Sequence, residues 1–244
     1  MNPVRKELEA IMHKGHHGAS VYEDWIGLMF YAFQRDDPHY LEIMGRYRNT
    51  APVGQREADH FANATGALLE YMMTTNEEAL GPLYMEYASS RHQGQFFTPM
   101  DVARMMASIT MTDIPEGRRF SVGDESCGAG ACLIAAAKEM TYEQNNRAFF
   151  VGQDLSLDCA RMTALNLMFF NLSGLVVWGN SLTMEVRGAW ETRRSVAFGG
   201  SIRPVDAEKA RDWLGRRINA QENAAPCVKT DTKKQGKTKQ LSLF

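Results

Sequence analysis

The residues best placed for chemistry lie in Val122-Gly123-Asp124-Glu125-Ser126-Cys127-Gly128-Ala129-Gly130-Ala131-Cys132-Leu133. An acid closes an apolar run, small residues follow, and a helix-forming run begins. Glycines let a ligand approach the backbone closely, and a helix N-terminus presents free N–H groups. That combination suits a nucleotide. It is not a dinucleotide fingerprint, because the third glycine is absent, and not a P-loop, because no Gly-Lys-Ser/Thr follows. By itself the stretch reads equally well as a tight turn. A second acid, Asp154, ends Val151-Gly152-Gln153-Asp154 thirty positions after Asp124. One strand–helix–strand unit later is where an acid accepts hydrogen bonds from ribose hydroxyls, although a lone Asp there is more often a helix cap. A third element is Trp178-Gly179-Asn180-Ser181-Leu182, in which Asn180 meets an adenine edge or simply makes a polar turn. The four cysteines, Cys127, Cys132, Cys159 and Cys227, form no CxxC pair and no metal-ligand spacing, so no metal site is expected. Such usage fits a reduced, cytoplasmic setting.

The elements that must position these residues show in the hydrophobic pattern. Residues 1 to about 90 read as helices. Trp25, Leu28, Met29, Ala32 and Phe33 recur at helical spacing, as do Phe61, Ala64, Leu68, Leu69 and Met72. Pro38, Pro52-Val53-Gly54 and Gly81-Pro82 break the pattern. From residue 94 the pattern alternates. Thr98-Pro99-Met100-Asp101 starts a helix through Ile109. Strands are expected at Phe120 to Val122, Ala148 to Val151, Leu175 to Trp178 and Ser195 to Phe198, with helices at Ala131 to Met140 and Leu157 to Phe170. This alternation predicts a mostly parallel α/β sheet with ligands at the carboxyl ends of the strands. Residues 205 to 219 read as one more helix, and 220 to 239 as a flexible polar linker. The expected division is a helical region over 1–90, an α/β core over 91–219 and a basic tail over 220–244.

The 244 residues are 44% hydrophobic and 23% charged, which excludes a mostly disordered chain, a collagen-like repeat and a coiled-coil rod. The longest apolar runs, such as Ile26 to Phe33, are too short to span a bilayer, and no basic-then-apolar leader predicts a signal peptide. The net charge of −2 hides an asymmetry: residues 229–239 carry five lysines and one acid, so a segment of +4 follows a body of −6. An acidic body is not the profile of a strong autonomous DNA binder.

Four blocks give the chain a family resemblance. It resembles the N6-adenine DNA methyltransferases, particularly the modification subunits of type I restriction systems. Leu80-Gly81-Pro82-Leu83-Tyr84-Met85-Glu86-Tyr87 resembles the helix leading into the cofactor site of that family. Gly94-Gln95-Phe96-Phe97-Thr98-Pro99 resembles its G-x-(F/Y)-(F/Y)-T-P block, Asp124 to Leu133 its D-P-x-x-G-x-G-G-F-L loop, and Gly152 to Leu167 its ribose-acid strand and following helix. The resemblance covers roughly residues 78 to 182. It implies a Rossmann-like core, S-adenosyl-L-methionine as cofactor and DNA as substrate. The cofactor contacts it implies are Gln95, Phe96, Phe97, Thr98, Pro99, Met100, Asp124, Ser126, Cys127, Gly128, Gly130, Asp154 and Asn180. Glu125 stands where the family usually has proline, and Asn180 where it often has aspartate.

One block of the family is missing. Its target adenine is held by Asn/Asp-Pro-Pro-aromatic, whose carbonyls accept from the exocyclic amine while the ring stacks on the flipped base. No two of the eight prolines here are adjacent. Val196-Ala197-Phe198-Gly199-Gly200-Ser201 fills the expected place, with Phe198 to stack and Ser201 to accept as weak catalytic candidates. The core is also short, which points to a completing or specificity subunit. The last five residues, Gln240-Leu241-Ser242-Leu243-Phe244, resemble the pentapeptide by which bacterial polymerases and repair proteins dock on the replicative sliding clamp. Leu241, Leu243 and Phe244 would anchor and Gln240 would hydrogen-bond, a few contacts filling a formed pocket. The alternative is a tail folded back on the body. The leading expectation is a DNA adenine N6-methyltransferase-family protein, with a catalytically inactive regulator or a clamp-tethered adaptor as alternatives.

Overall fold

The computed structural model describes the chain except residues 88–95, 196–199, 223–240 and 243–244. Five helices come first: α1 (Asn2–Met12), α2 (Gly18–Gln34), α3 (Asp37–Met44), α4 (Glu57–Thr75) and α5 (Leu80–Tyr87). Then follow α6 (Met100–Thr110), β1 (Phe120–Asp124), α7 (Ala131–Lys138), α8 (Tyr142–Arg147), β2 (Ala148–Asp154), α9 (Leu157–Phe169), β3 (Gly174–Asn180), β4 (Glu185–Arg193), β5 (Ser201–Pro204), α10 (Ala207–Glu222) and β6 (Leu241–Ser242).

Helix α2 is apolar on nearly every side, with Val21, Tyr22, Trp25, Ile26, Leu28, Met29 and Phe30 all buried. A helix of that kind needs neighbours all round. It packs on α1, α3, α5 and α9. The Tyr22 hydroxyl donates to the Leu80 carbonyl at 2.6 Å, and the Phe30 ring meets Trp190 of β4 edge-on at 5.0 Å. One apolar cluster therefore runs from Val4 through the helices to Val122, Phe150, Val176 and Ile202 of the sheet. The helical region and the α/β core share a single interior.

The sheet order is β5-β4-β3-β2-β1-β6. β1, β2 and β3 are parallel, with Asp124 opposite Gly152 and Asp154 opposite Trp178. Three successive parallel strands stepping in one direction, joined by right-handed crossovers, put their helices on one face. Residues alternate accordingly: Phe150 and Val176 face α7 and α9, while Val151, Leu175 and Val177 join Ala210 and Leu214 of α10 on the other face. The α/β class and mostly parallel core are those expected.

The fourth strand is not where the sequence placed it. Ser195 lies in no strand, and Val196 to Phe198 fall outside the described residues. The chain instead turns over Ser181 to Met184 and returns as β4, antiparallel to β3, with β5 antiparallel to β4. The buried residues of β4, Val186, Ala189 and Thr192, fall at every third position, with a register shift against β3 at Trp178/Gly179, while Glu185, Arg187 and Arg193 are exposed. A strand rich in charge whose alternation is interrupted resembles a loop in sequence. Arg187 pairs with Glu185 and Arg193 with Glu191, each two residues apart on one face.

Candidate functional site

The glycine loop forms at the carboxyl end of β1 because two residues adopt backbone conformations that side chains resist. Gly128 has φ +54° and Gly130 φ +85°. A Cβ on Gly128 would stand 3.2 Å from the Phe97 ring. Gly130 N–H donates to the Cys127 carbonyl at 2.6 Å, closing the turn into α7, and Cys127 N–H donates to the Gln153 carbonyl at 3.0 Å, fastening the loop to the end of β2.

Two acids shape the loop. Asp124 is buried, and its Oδ1 accepts from Ser126 N–H at 3.0 Å. Burial pushes this carboxyl up to about 6, against the Ser126 hydrogen bond and helped by Glu125 and Asp154 nearby. Asp154 accepts from Gly128 N–H at 2.9 Å and Ser156 N–H at 2.9 Å, so it ties the loop to the start of α9. Burial raises its pKa too, and those backbone donors oppose the shift.

A second support comes from α9 and α5. Thr163 Oγ1 donates to the Gly128 carbonyl at 2.8 Å, and Asn166 Nδ2 to the Ala129 carbonyl at 2.8 Å. Asn166 Nδ2 also reaches Glu78 Oε1 at 3.0 Å, which accepts from Gly81 N–H at 2.7 Å at the start of α5. Glu78 is thus a helix cap and part of the loop's scaffold. Burial drives its carboxyl up to about 7, although the Gly81 and Asn166 donors favour the anion.

Above this scaffold opens a cavity of about 390 Å3, within the usual size of small-ligand sites. The loop supplies Asp124, Ser126, Cys127 and Gly128; the segment entering α6 supplies Phe96, Phe97, Thr98, Pro99 and Met100; α5 supplies Gly81, Pro82 and Met85. Phe97 stacks on Tyr84 at 4.9 Å, which holds that segment against α5. Phe96 by contrast is 85% exposed at the rim. The described lining carries two carboxyl groups, Glu78 and Asp124, and no lysine or arginine. Burial also raises the pKa of the Cys127 thiol and lifts that of Cys132 to about 11, so both are neutral thiols rather than nucleophiles.

The sequence-derived site residues divide clearly. Phe96 to Met100, Asp124, Ser126, Cys127 and Gly128 converge on the cavity, and Gly130 caps α7 just behind it. Asp154 supports the loop from outside the lining. Asn180 ends β3, where its Oδ1 accepts from Leu182 N–H at 2.9 Å and Thr183 N–H at 3.2 Å, the polar-turn arrangement. Ser201 opens β5, separated from β1 by three strands of the sheet, and is not brought to the cavity. Gln95, Phe198, Gln240, Leu243 and Phe244 lie outside the described residues. Sequence reasoning missed Glu78, Met85 and Asn166. Glu78 had a signal, an acid three residues before Gly81 at a helix start; Asn166, inside a helix, had none without the fold. Among the described residues no cluster of three metal-ligating side chains occurs, and no helix is long and apolar enough to cross a membrane.

The family profile described as N-6 DNA Methylase matches residues 75–196, half of the chain and the stretch that builds this cavity. The chain belongs to the N-6 DNA methylase family. It is similar to the methylase subunit of the type I restriction enzyme MpnII of Mycoplasma pneumoniae, 26% identical over 98 residues, which cover 39% of this chain and 17% of that protein. It thus spans about a sixth of that relative's length. Among solved structures, the type I restriction-modification methyltransferase subunit of Streptococcus thermophilus covers 59% of this chain and 32% of its own length, at 16% identity and a TM-score of 0.38. A type I modification subunit from Vibrio vulnificus YJ016 covers 56% and 29%, at 22% identity and a TM-score of 0.34.

Proposed function

We propose that this N-6 DNA methylase family chain binds S-adenosyl-L-methionine in the β1 cavity and contributes the cofactor half of a DNA adenine N6-methyltransferase. The observation that carries this reading is the convergence of residues 96–100 with Asp124 and the loop Ser126–Gly128 on one acidic cavity. The cofactor carries a sulfonium and an ammonium group, and a lining with two carboxyls and no lysine or arginine among the described residues suits a cation. Bound, it would supply an electrophilic methyl group to an amine, a transfer promoted by positioning rather than by acid–base groups. The chain's own part is to orient: Asp154 fixes Gly128 N–H, Thr163 and Asn166 fix the carbonyls beyond it, and Phe97 closes the side towards α5.

Base recognition belongs elsewhere on this reading. The Asn/Asp-Pro-Pro-aromatic block is absent from the sequence, and Ser201 lies in β5. A completing or specificity subunit would supply it, together with most of the DNA contact that an acidic body lacks. We further propose that the segment 240–244 docks on the replicative sliding clamp through Leu241, Leu243, Phe244 and Gln240, that the residues between α10 and this segment act as its tether (α10 runs to Glu222, three residues past the expected helix end), and that the protein works in the cytoplasm. The missing block equally favours a second reading, a cofactor-binding regulator that transfers no methyl group.

Calorimetric titration with S-adenosyl-L-methionine tests the site. The wild-type chain is expected to bind saturably. Asp154→Ala, which frees Gly128 N–H, is expected to weaken binding by at least about tenfold, or roughly 1.4 kcal/mol. Absence of binding by the folded wild-type chain overturns the cofactor reading. Binding without methyl transfer to DNA, even with a type I specificity subunit added, selects the regulator.

A further inference from the structure

Strand β1 stands next to the edge of the sheet yet is built like a central strand. Phe120, Val122 and Asp124 are 4%, 0% and 4% exposed, and Gly123 is buried as well. β2 pairs with all five of its residues on one side. On the other side, among the described residues, only Leu241 and Ser242 pair with it, in parallel and opposite Val122 and Gly123. The opposite edge looks different: β5 is four residues long, exposes Arg203 and Pro204, and among the described residues pairs only with β4. Short strands, charge and proline are how an edge is protected from further pairing. β1, Phe120-Ser121-Val122-Gly123-Asp124, carries no proline and no exposed charge, since its one ionisable residue, Asp124, is buried.

We propose that the open edge of β1 is a strand-accepting surface filled in cis by the chain's own Leu241–Ser242 segment, which stays on the sheet until a partner takes it. Strand addition of this kind draws on backbone hydrogen bonds and accepts an extended peptide. Residues 223–240 join α10 to the segment, so the pairing is intramolecular and favoured by effective concentration. Two paired residues are few, so the seat is weak enough to be vacated. An extended backbone held on β1 is not free to enter another protein's groove: the peptide is a strand of this sheet or a ligand of a partner, never both. Gly123 directly precedes Asp124, so the seat ends beside the cavity. The seat follows from the fold alone; its use as a switch rests on the clamp reading above.

Hydrogen–deuterium exchange at the amides of Ser121 to Asp124 tests this. Three proteins are compared: the full chain, the chain lacking residues 240–244, and the full chain carrying both Leu241→Pro and Ser242→Pro. Both altered chains should exchange about tenfold faster at the β1 amides that point away from β2, with β2 and β3 amides unchanged. Synthetic Gln-Leu-Ser-Leu-Phe peptide at millimolar concentration should slow the truncated chain again. Equal exchange in all three proteins overturns the seat. Protection that appears only with concentration-dependent dimers overturns the cis arrangement in favour of a second copy's tail. Purified sliding clamp should bind the full chain and speed exchange at the same amides. Clamp that binds without that effect overturns the switch. Clamp that does not bind removes the clamp reading and the switch with it, while the truncation still decides the seat.

Discussion

The two ends of the sheet were built under opposite demands. At the β5 end the strands expose charged residues, ion pairs form along β4, and Pro204 closes the edge. At the β1 end a strand buried on both faces stops short in acids and glycines, and the cavity opens there. The first end is a boundary. The second is a working surface, where burial positions groups instead of sealing the fold. Substitutions should therefore cost more, and change binding more, near β1 than near β5.

The largest expected contrast is between Val122→Asp and Arg203→Glu. An unpaired carboxylate in place of the fully buried Val122 should cost several kcal/mol and leave little folded protein. Arg203→Glu, on the exposed side of β5, should stay within about 0.5 kcal/mol. Urea unfolding of the two variants compares them, and equal losses would break the contrast between the ends.

A second contrast is in pH. Glu78 is raised from 4.5 to about 7 and Asp124 from 3.8 to about 6, both by burial. Below their ordinary values both states of the chain hold these protons. As pH rises past those values the unfolded chain ionises first, so stability falls until the folded carboxyls ionise at about 6 and about 7. For Glu78 the loss amounts to a few kcal/mol. Glu78→Gln, which keeps an acceptor for Gly81 N–H, should flatten much of this slope in melting temperatures measured from pH 4 to 8. Affinity for a cationic cofactor runs the other way, rising as the two carboxyls ionise, and the slope of its Kd with pH should lessen in the variant. Arg187→Ala in β4 should leave both profiles unchanged.

A smaller effect is expected of Gly128→Ala. The positive φ and the Phe97 ring at 3.2 Å together should cost about 1–2 kcal/mol and weaken cofactor binding with it. The smallest is Arg187→Ala, whose exposed pair with Glu185 is screened by solvent and should leave the urea midpoint nearly unchanged. A change at Arg187 as large as that at Gly128 would erase the difference between the two ends.

Much of this was legible before the fold. The apolar runs at 120–122, 148–151 and 175–178 each sit inside a strand, and Phe97, Thr98 and Asp124 were singled out and do meet across the cavity. These signals are local: a buried strand needs an apolar run, and a close turn needs glycine. The strand after β3 was not legible, because Glu185 to Arg193, full of charge, makes it, where an apolar run was the expected sign.

The sequence by itself determined the class of fold, its first three strands, the acid–glycine loop and the absence of an Asn/Asp-Pro-Pro-aromatic block. Each of these is written in residue type and short spacing. The tertiary structure decided that Asn166 supports the loop from 37 positions away and is itself held by Glu78, 88 positions from it, that Asn180 makes a turn, and that β1 and not β3 stands beside the open edge. Those facts depend on which elements pack together, and packing is settled by the whole interior at once: a buried polar atom finds its partner wherever the shared core brings one within reach.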